Sequence, residues 1–360
     1  MTPEFQRLMA DAARLVRGGD LQAATAAIQA ALHGNKAAER AAASAPAADG
    51  IVIDVEAREL APPRPHPAEV DKPERPPAPG EEADAFVAGR FSDGRMQRNY
   101  KLYIPPHAGE RPLPLVLMLH GCTQDPDDFA RGTRMNEAAR AHGCFVLYPA
   151  QSQQANPQRC WNWFKHSHQQ RGRGEPALLA AMTRQVMARH GIDPRRVYVA
   201  GLSAGGAMAA ILGEAYPELF AAAGVHSGLA AGAAKDLPSA LAAMRTGAAA
   251  ANTRPGVPTI VFHGDADATV HPANGDHVVT GSVGGAPAQA QVERQRAGGG
   301  RGYTRHVHRA PDGTVLAEHW VVHGSGHAWS GGSREGSFTD PAGPDATAEM
   351  LRFFLAHPRG

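Results

Sequence analysis

The sequence is poor in cysteine and in uncompensated charge. Only three of its 360 residues are cysteines, and no two form a CxxC pair. This excludes a disulfide-built scaffold and gives no sign of a zinc site. The 36 basic and 35 acidic residues leave a formal net charge of +1, which indicates neither a nucleic-acid partner nor an anionic membrane. We therefore expect no structural zinc site and no nucleic-acid partner.

Long apolar segments are also lacking. No stretch approaches the ~18 consecutive apolar residues of a transmembrane helix. The first twenty residues have no basic start followed by an apolar run, which a secretory signal would show. The sequence therefore predicts a protein without a transmembrane segment that resides in the cytoplasm.

The N-terminal quarter of the chain differs in composition from the rest. Residues 1–34 carry apolar side chains at spacings of three and four, which predicts a helical hairpin. Residues 35–84 are rich in alanine and proline and predict an extended linker, in which residues 51–57 alternate as in a short strand. Residues 85–360 alternate between strand-like and helix-like segments. This alternation predicts an α/β domain with a mostly parallel sheet and helices on both faces.

Three segments of this domain support more specific predictions. Residues 114–121 form a continuous apolar run, which is typical of a strand covered on both faces. Residues 127–143 predict one continuous helix. Residues 304–309 and 315–324 predict a late hairpin or two further strands of the sheet.

The pentapeptide GLSAG at 201–205 places Ser203 between two glycines. The preceding run, VYVA, predicts a strand, and the following run, AMAAILGEAYP, predicts a helix. A Gly-x-Ser-x-Gly turn between a strand and a helix is typical of a nucleophile elbow, where strained backbone exposes the serine hydroxyl. The context favours a nucleophilic Ser203 over an idle serine in a glycine-rich turn.

A nucleophilic serine needs a histidine to take its proton and a carboxylate to orient that histidine. On this type of fold the acid follows the serine in the chain, and the base follows the acid. Asp265 and Asp267 both follow the strand-like run IVFHG. We prefer Asp267, since Asp265 adjoins the strand end and could instead shape the turn. For the base we prefer His327, in a glycine-rich loop, over His323, which fits the preceding strand.

The tetrahedral intermediate of acyl transfer needs two preorganised N–H donors. The residue after the nucleophile, Ala204, supplies one main-chain donor. The other normally comes from the loop after an early strand, where LMLHGCTQD places Cys122. The alternative is that HGC is an ordinary turn at the end of a strand.

Several motifs resemble, in order, those of one known family. They are HGCTQ, YPAQSQQANPQRCWNWF, RGRGE, GLSAGGAMA, VHSGL, HGDADATV and GSGHAWSGG. They are similar to motifs of the short-chain polyhydroxyalkanoate (polyhydroxybutyrate, PHB) depolymerase esterases, to which feruloyl and acetylxylan esterases are related. The resemblance spans roughly residues 95–355. It implies an α/β-hydrolase fold without a metal or organic cofactor, the triad Ser203, Asp267 and His327, and an oxyanion contribution from the Cys122 amide.

The resemblance also implies that the aromatic segment at 160–164 borders the active site. We expect His120, Trp161, Trp163 and Trp329 to contact the substrate. Indole rings offer large, rigid contact area to a polyester or an aryl ester. The alternative for the first two tryptophans is a place in the core, since alternate residues of an extended chain face opposite sides.

Two of the three cysteines lie in these motifs. A disulfide between Cys122 and Cys160 is one hypothesis, and a cytoplasmic location argues against it. Cys144 begins an apolar strand-like run and is expected to be a small buried residue.

The resemblance predicts a serine esterase that hydrolyses poly(3-hydroxybutyrate) or its oligomers by acyl transfer. A feruloyl or acetylxylan-type carboxylesterase is the alternative within the enzyme class. A non-catalytic granule-associated protein is the alternative outside it. The hairpin at 1–34 would dock on a polyester granule surface or serve self-association or packing.

Overall fold

The computed structural model describes residues 84–94, 96–249, 256–284, 288–298 and 300–360. The predicted hairpin at 1–34, the strand-like segment at 51–57 and all of the predicted linker except Asp84 lie outside these ranges. Asp84 itself is tied to the folded chain. It accepts a hydrogen bond from the Tyr103 hydroxyl at 2.6 Å and pairs with Arg140 at 2.8 Å.

A large sheet forms the centre of the described chain. Its strands are β1 (Ala85–Ser92), β2 (Gln97–Ile104), β3 (Leu113–Leu119), β4 (Phe145–Pro149), β5 (Ile192–Leu202), β6 (Ala222–His226), β7 (Thr259–Gly264), β8 (Gln289–Arg296), β9 (Gly302–Arg309) and β10 (Val315–Val322). Their order across the sheet is β1-β2-β4-β3-β5-β6-β7-β10-β9-β8. A separate parallel pair consists of β11 (Trp329–Ser330) and β12 (Thr339–Asp340).

Helices connect most of these strands. They are α1 (Pro126–Thr133), α2 (Met135–His142), α3 (Gly174–Arg189), α4 (Ala204–Ala215), α5 (Leu237–Thr246), α6 (Ala273–Val283) and α7 (Ala346–Leu355), with a short 3-10 helix at His166–His168. None of these described helices combines the length and apolar character needed to span a membrane.

The centre of the sheet is parallel and its two ends are antiparallel. Strands β4, β3, β5, β6, β7 and β10 pair in parallel. Strands β1 and β2 at one end, and β9 and β8 at the other, join in antiparallel pairs. The mostly parallel sheet predicted from strand–helix alternation is confirmed, and so is the late antiparallel pairing of β9 with β10.

Strand β3 shows why its apolar run lacks alternation. All seven of its residues are buried. Leu115, Leu117 and Leu119 pack into one apolar cluster, whereas Val116 and Met118 pack into another. Successive side chains of a strand point to opposite faces, so both faces of the sheet are covered. The loops that follow the parallel strands are therefore the natural place for polar chemistry.

The prediction of one helix at 127–143 is wrong, because the structure contains two. Arg134 separates α1 from α2 with a φ of 54°, in the left-handed region that residues other than glycine seldom adopt. The Thr347 hydroxyl donates to the carbonyl of Thr133 at 2.6 Å. This contact, from a residue of α7, satisfies a carbonyl at the end of α1 that a continuing helix would have used.

Candidate active site

Ser203 occupies the turn between β5 and α4. Its φ of 58° and ψ of −120° lie outside the regions that residues with side chains normally adopt. Its N–H donates to the main-chain oxygen of His226 at 2.9 Å, which ties the turn to the end of β6. A strained turn at the carboxyl end of a buried strand presents a serine hydroxyl at the rim of the sheet, as a nucleophile elbow does.

The two glycines of the pentapeptide are needed because the backbone passes very close to them. A Cβ added to Gly201 would lie 2.4 Å from the carbonyl of Gly205. A Cβ added to Gly205 would lie 2.0 Å from the main-chain oxygen of Leu119, at the end of β3. The Gly-x-Ser-x-Gly pattern therefore follows from packing of the turn against the neighbouring strand.

Asp267 and His327 form a hydrogen-bonded acid–base pair. His327 Nδ1 lies 2.7 Å from Asp267 Oδ2, and Asp267 Oδ1 accepts the N–H groups of Thr269 and Val270, each at 2.9 Å. Burial acts to raise the pKa of Asp267, but the His327 contact and these N–H donors hold it below its ordinary value. The charged carboxylate favours a proton on Nδ1 of His327, which leaves Nε2 free to accept one.

The other two candidates, Asp265 and His323, form a pair of their own. Asp265 Oδ2 lies 2.9 Å from His323 Nδ1, and Asp265 Oδ1 accepts the Gly324 N–H at 2.6 Å. The second ring nitrogen of His323 contacts the Thr304 hydroxyl at 2.9 Å. The side chains of this pair are 42% and 46% exposed. Asp267 and Asp265 thus contact His327 and His323 respectively, and the buried Asp267 has a second, longer contact of 3.5 Å to His263 Nε2. The pair preferred from the sequence is the buried one.

The topology brings the nucleophile, acid and base to one edge of the sheet. Ser203 follows β5, Asp267 follows β7 and His327 follows β10, and β5-β6-β7-β10 are consecutive parallel strands. The carboxyl ends of parallel strands share an edge, which is where ligands bind in such sheets. The acid and base loops are also joined directly, since the Ala266 N–H donates to the carbonyl of Ser325 at 3.1 Å.

The loop after β3 lies against the serine turn. A Cβ added to Gly121 would lie 3.7 Å from Ser203 Cβ and 3.6 Å from the Leu202 oxygen. On the other side of the serine, Ala204 is the first residue of α4. The N–H groups in the first turn of a helix have no acceptor within the helix. The two elements chosen from the sequence for oxyanion binding therefore flank Ser203.

Neighbouring contacts single out the Cys122 N–H within this loop. The Gly121 N–H donates to Gln124 Oε1 at 2.9 Å, and the Thr123 N–H donates to the carbonyl of Gln158 at 2.7 Å. Of these three successive donors, only the Cys122 N–H has no acceptor in the described part of the chain. It is therefore available to an oxygen bound beside Ser203.

Cys122 and Cys160 form a disulfide bond with an S–S distance of 2.08 Å, which confirms that hypothesis. The bond fastens the loop after β3 to the segment at 160–164. Cys144 is free and buried, and burial raises the pKa of its thiol to about 12. It is the small buried residue that the sequence predicts.

The expectation that four side chains contact the substrate needs correction. Trp161 and Trp329 are fully buried, and His120 and Trp163 are 1% and 5% exposed. The indole N–H of Trp161 donates to the carbonyl of His120 at 3.1 Å, and that of Trp329 donates to the Thr347 hydroxyl at 3.0 Å. Such burial leaves almost no surface for an ester to touch. Trp161 and Trp163 occupy the core, which was the alternative.

His120 supports the loop after β3 from inside the protein. Its Nδ1 lies 2.7 Å from the carbonyl of Gly121, and its Nε2 accepts the Gln151 N–H at 3.1 Å. Burial lowers the pKa of His120 to about 4. The ring is therefore neutral near pH 7 and acts as a fixed hydrogen-bonding bridge.

Sequence reasoning missed Glu175, the acidic residue of the RGRGE motif. Its side chain is 4% exposed, and it accepts hydrogen bonds from the Gln151 amide at 2.5 Å and the Asn162 N–H at 2.7 Å. Burial acts to raise its pKa, yet contacts from His168, Gln151 and Asn162 hold the pKa below its ordinary value. Glu175 thereby anchors the aromatic segment at 160–164. The motif was visible in the sequence, but its burial was not.

The fold and the arrangement at the strand edge define an α/β-hydrolase. Its features are a parallel sheet, a strained serine turn after a central strand, and an acid and a histidine after later strands. The same fold occurs in the acetyl xylan esterase of Aspergillus awamori, with a TM-score of 0.57 and 21% identity. That likeness covers 68% of this chain and 94% of the other.

The family follows from the sequence match. The model of the family described as Esterase PHB depolymerase matches residues 98–301, more than half of the chain. The chain therefore belongs to the PHB depolymerase esterase family. The matched region contains Ser203, Asp267 and Cys122, whereas His327 lies beyond it.

Two curated proteins are similar to parts of this chain. Poly(3-hydroxyalkanoate) depolymerase C of Paucimonas lemoignei is 32% identical over 228 residues, which is 59% of this chain and 54% of the relative. Feruloyl esterase B of Neurospora crassa is 33% identical over 141 residues, which is 38% of this chain and 47% of the relative. The chain thus spans about half the length of the relatives it matches.

Proposed function

We propose that this chain is a carboxylic ester hydrolase in which Ser203 is the nucleophile, His327 the general base and Asp267 the carboxylate that orients His327. The observation that carries the proposal is the 2.7 Å contact between His327 Nδ1 and Asp267 Oδ2, at the sheet edge that presents the strained Ser203 turn. Membership of an esterase family supports the same assignment.

The chemistry is a two-step acyl transfer. His327 Nε2 takes the hydroxyl proton as Ser203 Oγ attacks the ester carbonyl, and the proton then passes to the leaving alcohol. Asp267 stabilises the imidazolium formed in between without becoming protonated. Water, activated by the same histidine, next attacks the acyl-enzyme and releases the acid.

Two main-chain donors stabilise the oxyanion of each tetrahedral intermediate. They are the N–H groups of Ala204 and Cys122. The proposal is supported by the start of α4 at Ala204 and by the closeness of Gly121, next to Cys122, to Ser203. Such donors are fixed before the reaction begins, so they require no reorganisation as the charge develops. The Cys122–Cys160 disulfide and the buried His120 hold the second donor in place.

For the substrate we propose poly(3-hydroxybutyrate) or its oligomers. The support is the Paucimonas lemoignei relative, which matches more of this chain than the feruloyl esterase does. A feruloyl or acetylxylan-type ester is the second candidate, because the feruloyl esterase is as similar over the shorter region. Three rates decide between the candidates: release of soluble hydroxyacid from amorphous PHB, of ferulate from methyl ferulate, and of acetate from acetylated xylan. Faster turnover of either of the latter would contradict the polyester assignment.

The catalytic assignment predicts a steep loss in two variants. Ser203→Ala should lower kcat for a short p-nitrophenyl ester on the order of 10⁶-fold, as expected when a nucleophile that acts with its base is lost. Asp267→Asn should lower it roughly 10⁴-fold, because the amide favours the wrong histidine tautomer. Folding of both variants is checked by circular dichroism. Full activity in the Ser203 variant would refute the assignment.

The compartment is a separate question. The sequence favours the cytoplasm, with residues 1–34 docked on a polyester granule, whereas the Cys122–Cys160 disulfide favours an oxidising compartment, because cytosolic reductants keep thiols reduced. Mass spectrometry of protein alkylated during lysis of its native cell decides. Alkylation of Cys122 and Cys160 would support a cytoplasmic location, and an intact disulfide would support an oxidising compartment.

A further inference from the structure

His226 lies at the centre of the active-site edge without taking part in the proposed chemistry. It is the last residue of β6, the strand between β5, which leads to Ser203, and β7, which leads to Asp267. His226 is only 1% exposed. It therefore has no access to a bound ester, and its conformation is set by its neighbours.

The main chain and the ring of His226 contact two different catalytic loops. Its carbonyl accepts the Ser203 N–H at 2.9 Å, and its Nε2 accepts the Ser330 N–H at 2.9 Å. Ser330 lies three residues beyond His327. Trp329, which lies between His327 and Ser330 in the sequence, stacks on the His226 ring with centroids 5.1 Å apart. One residue thus holds both the nucleophile turn and the loop of the base.

These contacts define a single protonation state for the ring. The Ser330 N–H is a donor, so His226 Nε2 has to offer a lone pair, and the ring proton resides on Nδ1. That nitrogen lies 3.3 Å from the Ser227 hydroxyl. Burial, with the nearby His263 and His327, lowers the pKa of His226 to about 3. The ring therefore remains a neutral acceptor across the pH range in which an esterase works.

We propose that His226 is a positioning residue that sets the distance between Ser203 and His327 through its hydrogen bond to the Ser330 N–H. The inference rests on the proposed function, since it assigns a structural support to His327, the general base of that function. The geometry required for proton transfer is narrow, and a displacement of about 1 Å costs rate by roughly 100-fold. The N–H groups of Trp329 and Gly331 are held by Phe338 and Asp340, so the His226 acceptor is what fixes the Ser330 N–H between them. Its loss leaves that buried donor without a partner and shifts the main chain that carries His327.

Two amide variants separate the hydrogen bond from mere bulk. In His226→Gln the side-chain oxygen reaches the position of Nε2 and still accepts the Ser330 N–H. In His226→Asn the side chain is one carbon shorter and cannot reach it. We expect kcat for a p-nitrophenyl ester to stay within about fivefold of wild type in the first and to fall roughly 100-fold in the second. KM should change by less than about threefold in both, since the ester does not touch this residue.

A destabilised variant away from the site provides the control. Phe354→Leu removes a ring of α7 that stacks on Tyr198 and should lower the melting temperature with kcat unchanged. A kcat loss confined to His226→Asn supports the proposal. Equal kcat in the two amide variants overturns it. If neither amide variant folds, His226→Phe keeps the stacking on Trp329 without an acceptor, and wild-type kcat in that variant also overturns it. A wild-type protein that is inactive would instead refute the proposed function itself.

Discussion

At the scale of single residues, the site depends on carboxylates that stay charged while buried. Asp267 is 5% exposed and Glu175 is 3% exposed. Burial alone would favour their protonated forms. In both cases nearby donors outweigh burial and lower the pKa. The charge of Asp267 acts on His327, whereas that of Glu175 anchors the segment at 160–164 through Asn162.

Glu175 gives a pH-dependent prediction with a definite sign. Its pKa is lower in the folded protein than its ordinary value of 4.5, so its contribution to stability is complete above pH 4.5 and is lost as pH falls through the folded pKa. Glu175→Gln should therefore lower the free energy of unfolding by about 1–3 kcal/mol at pH 7. The difference from wild type should shrink below pH 4. Urea unfolding at several pH values measures it.

The control for this prediction is an exposed glutamate. Glu218 pairs with Arg171 and Arg184 at the surface, where its side chain is 46% exposed, and exposed ion pairs contribute little. Glu218→Gln should change the free energy of unfolding by less than about 1 kcal/mol. An equal loss in both variants, or a Glu175 effect that grows in acid, would contradict the role given to Glu175.

The tryptophans mark the limit of sequence reasoning at this scale. Their motifs predicted that Trp161 and Trp329 contact the substrate, whereas the structure buries both rings. Whether a ring points to solvent depends on what covers it, and the cover comes from distant residues. The Thr347 hydroxyl accepts a hydrogen bond from the Trp329 indole N–H, and the carbonyl of His120 accepts one from the Trp161 indole N–H. Neither partner is apparent from the local pattern.

At the scale of elements, the serine turn depends on close passage of β3. A Cβ at Gly205 would lie 2.0 Å from the Leu119 oxygen, and a backbone atom in a central strand cannot easily move away. Gly205→Ala should therefore destabilise the protein by about 3 kcal/mol or more. Gly298, whose added Cβ would meet nothing within 4 Å, is the control. Gly298→Ala should stay within about 0.5 kcal/mol. Thermal unfolding of both variants tests this, and a stable, fully active Gly205→Ala protein would contradict it.

The disulfide connects two elements of the site and should matter for both stability and rate. It closes a loop with a sequence separation of 38 residues, for which chain entropy predicts about 4 kcal/mol of stabilisation. The double variant Cys122→Ser, Cys160→Ser retains the main-chain N–H of residue 122 but removes the covalent bond that holds the loop after β3. We expect kcat to fall by about 10-fold to 100-fold, less than complete removal of an oxyanion donor.

Cys144→Ala serves as the matched control for the disulfide. It removes a buried thiol that belongs to a different apolar cluster from Cys122 and Cys160. Its kcat should equal that of wild type. Unchanged kcat in the double variant would show that the loop after β3 holds its conformation without the bond.

The helix predicted at 127–143 shows how tertiary contacts decide an element. Its helical pattern continues across Arg134, yet the chain adopts a left-handed conformation there. The contact that ends α1 comes from Thr347, 214 residues away along the chain. A local pattern carries no information about such a contact, so the number of helices could not be read from this segment.

At the scale of the whole molecule, the order of motifs was the strongest guide. The buried runs predicted β3, β5, β6 and β7, because strands covered on both faces are apolar throughout. The order serine, acid, histidine then predicted Ser203, Asp267 and His327, which follow β5, β7 and β10 in the structure. The support provided by His226 was not predictable, since it depends on Ser330, which is 104 residues distant.

The proposed function depends on Ser203 being made nucleophilic by His327 and Asp267. Reaction with diethyl p-nitrophenyl phosphate, followed by mass spectrometry of the digested protein, tests it most directly. We expect stoichiometric release of p-nitrophenol, one adduct located on Ser203, parallel loss of ester hydrolysis, and far slower labelling in His327→Ala. An adduct on another residue, or ester hydrolysis that continues after Ser203 is fully labelled, would contradict it.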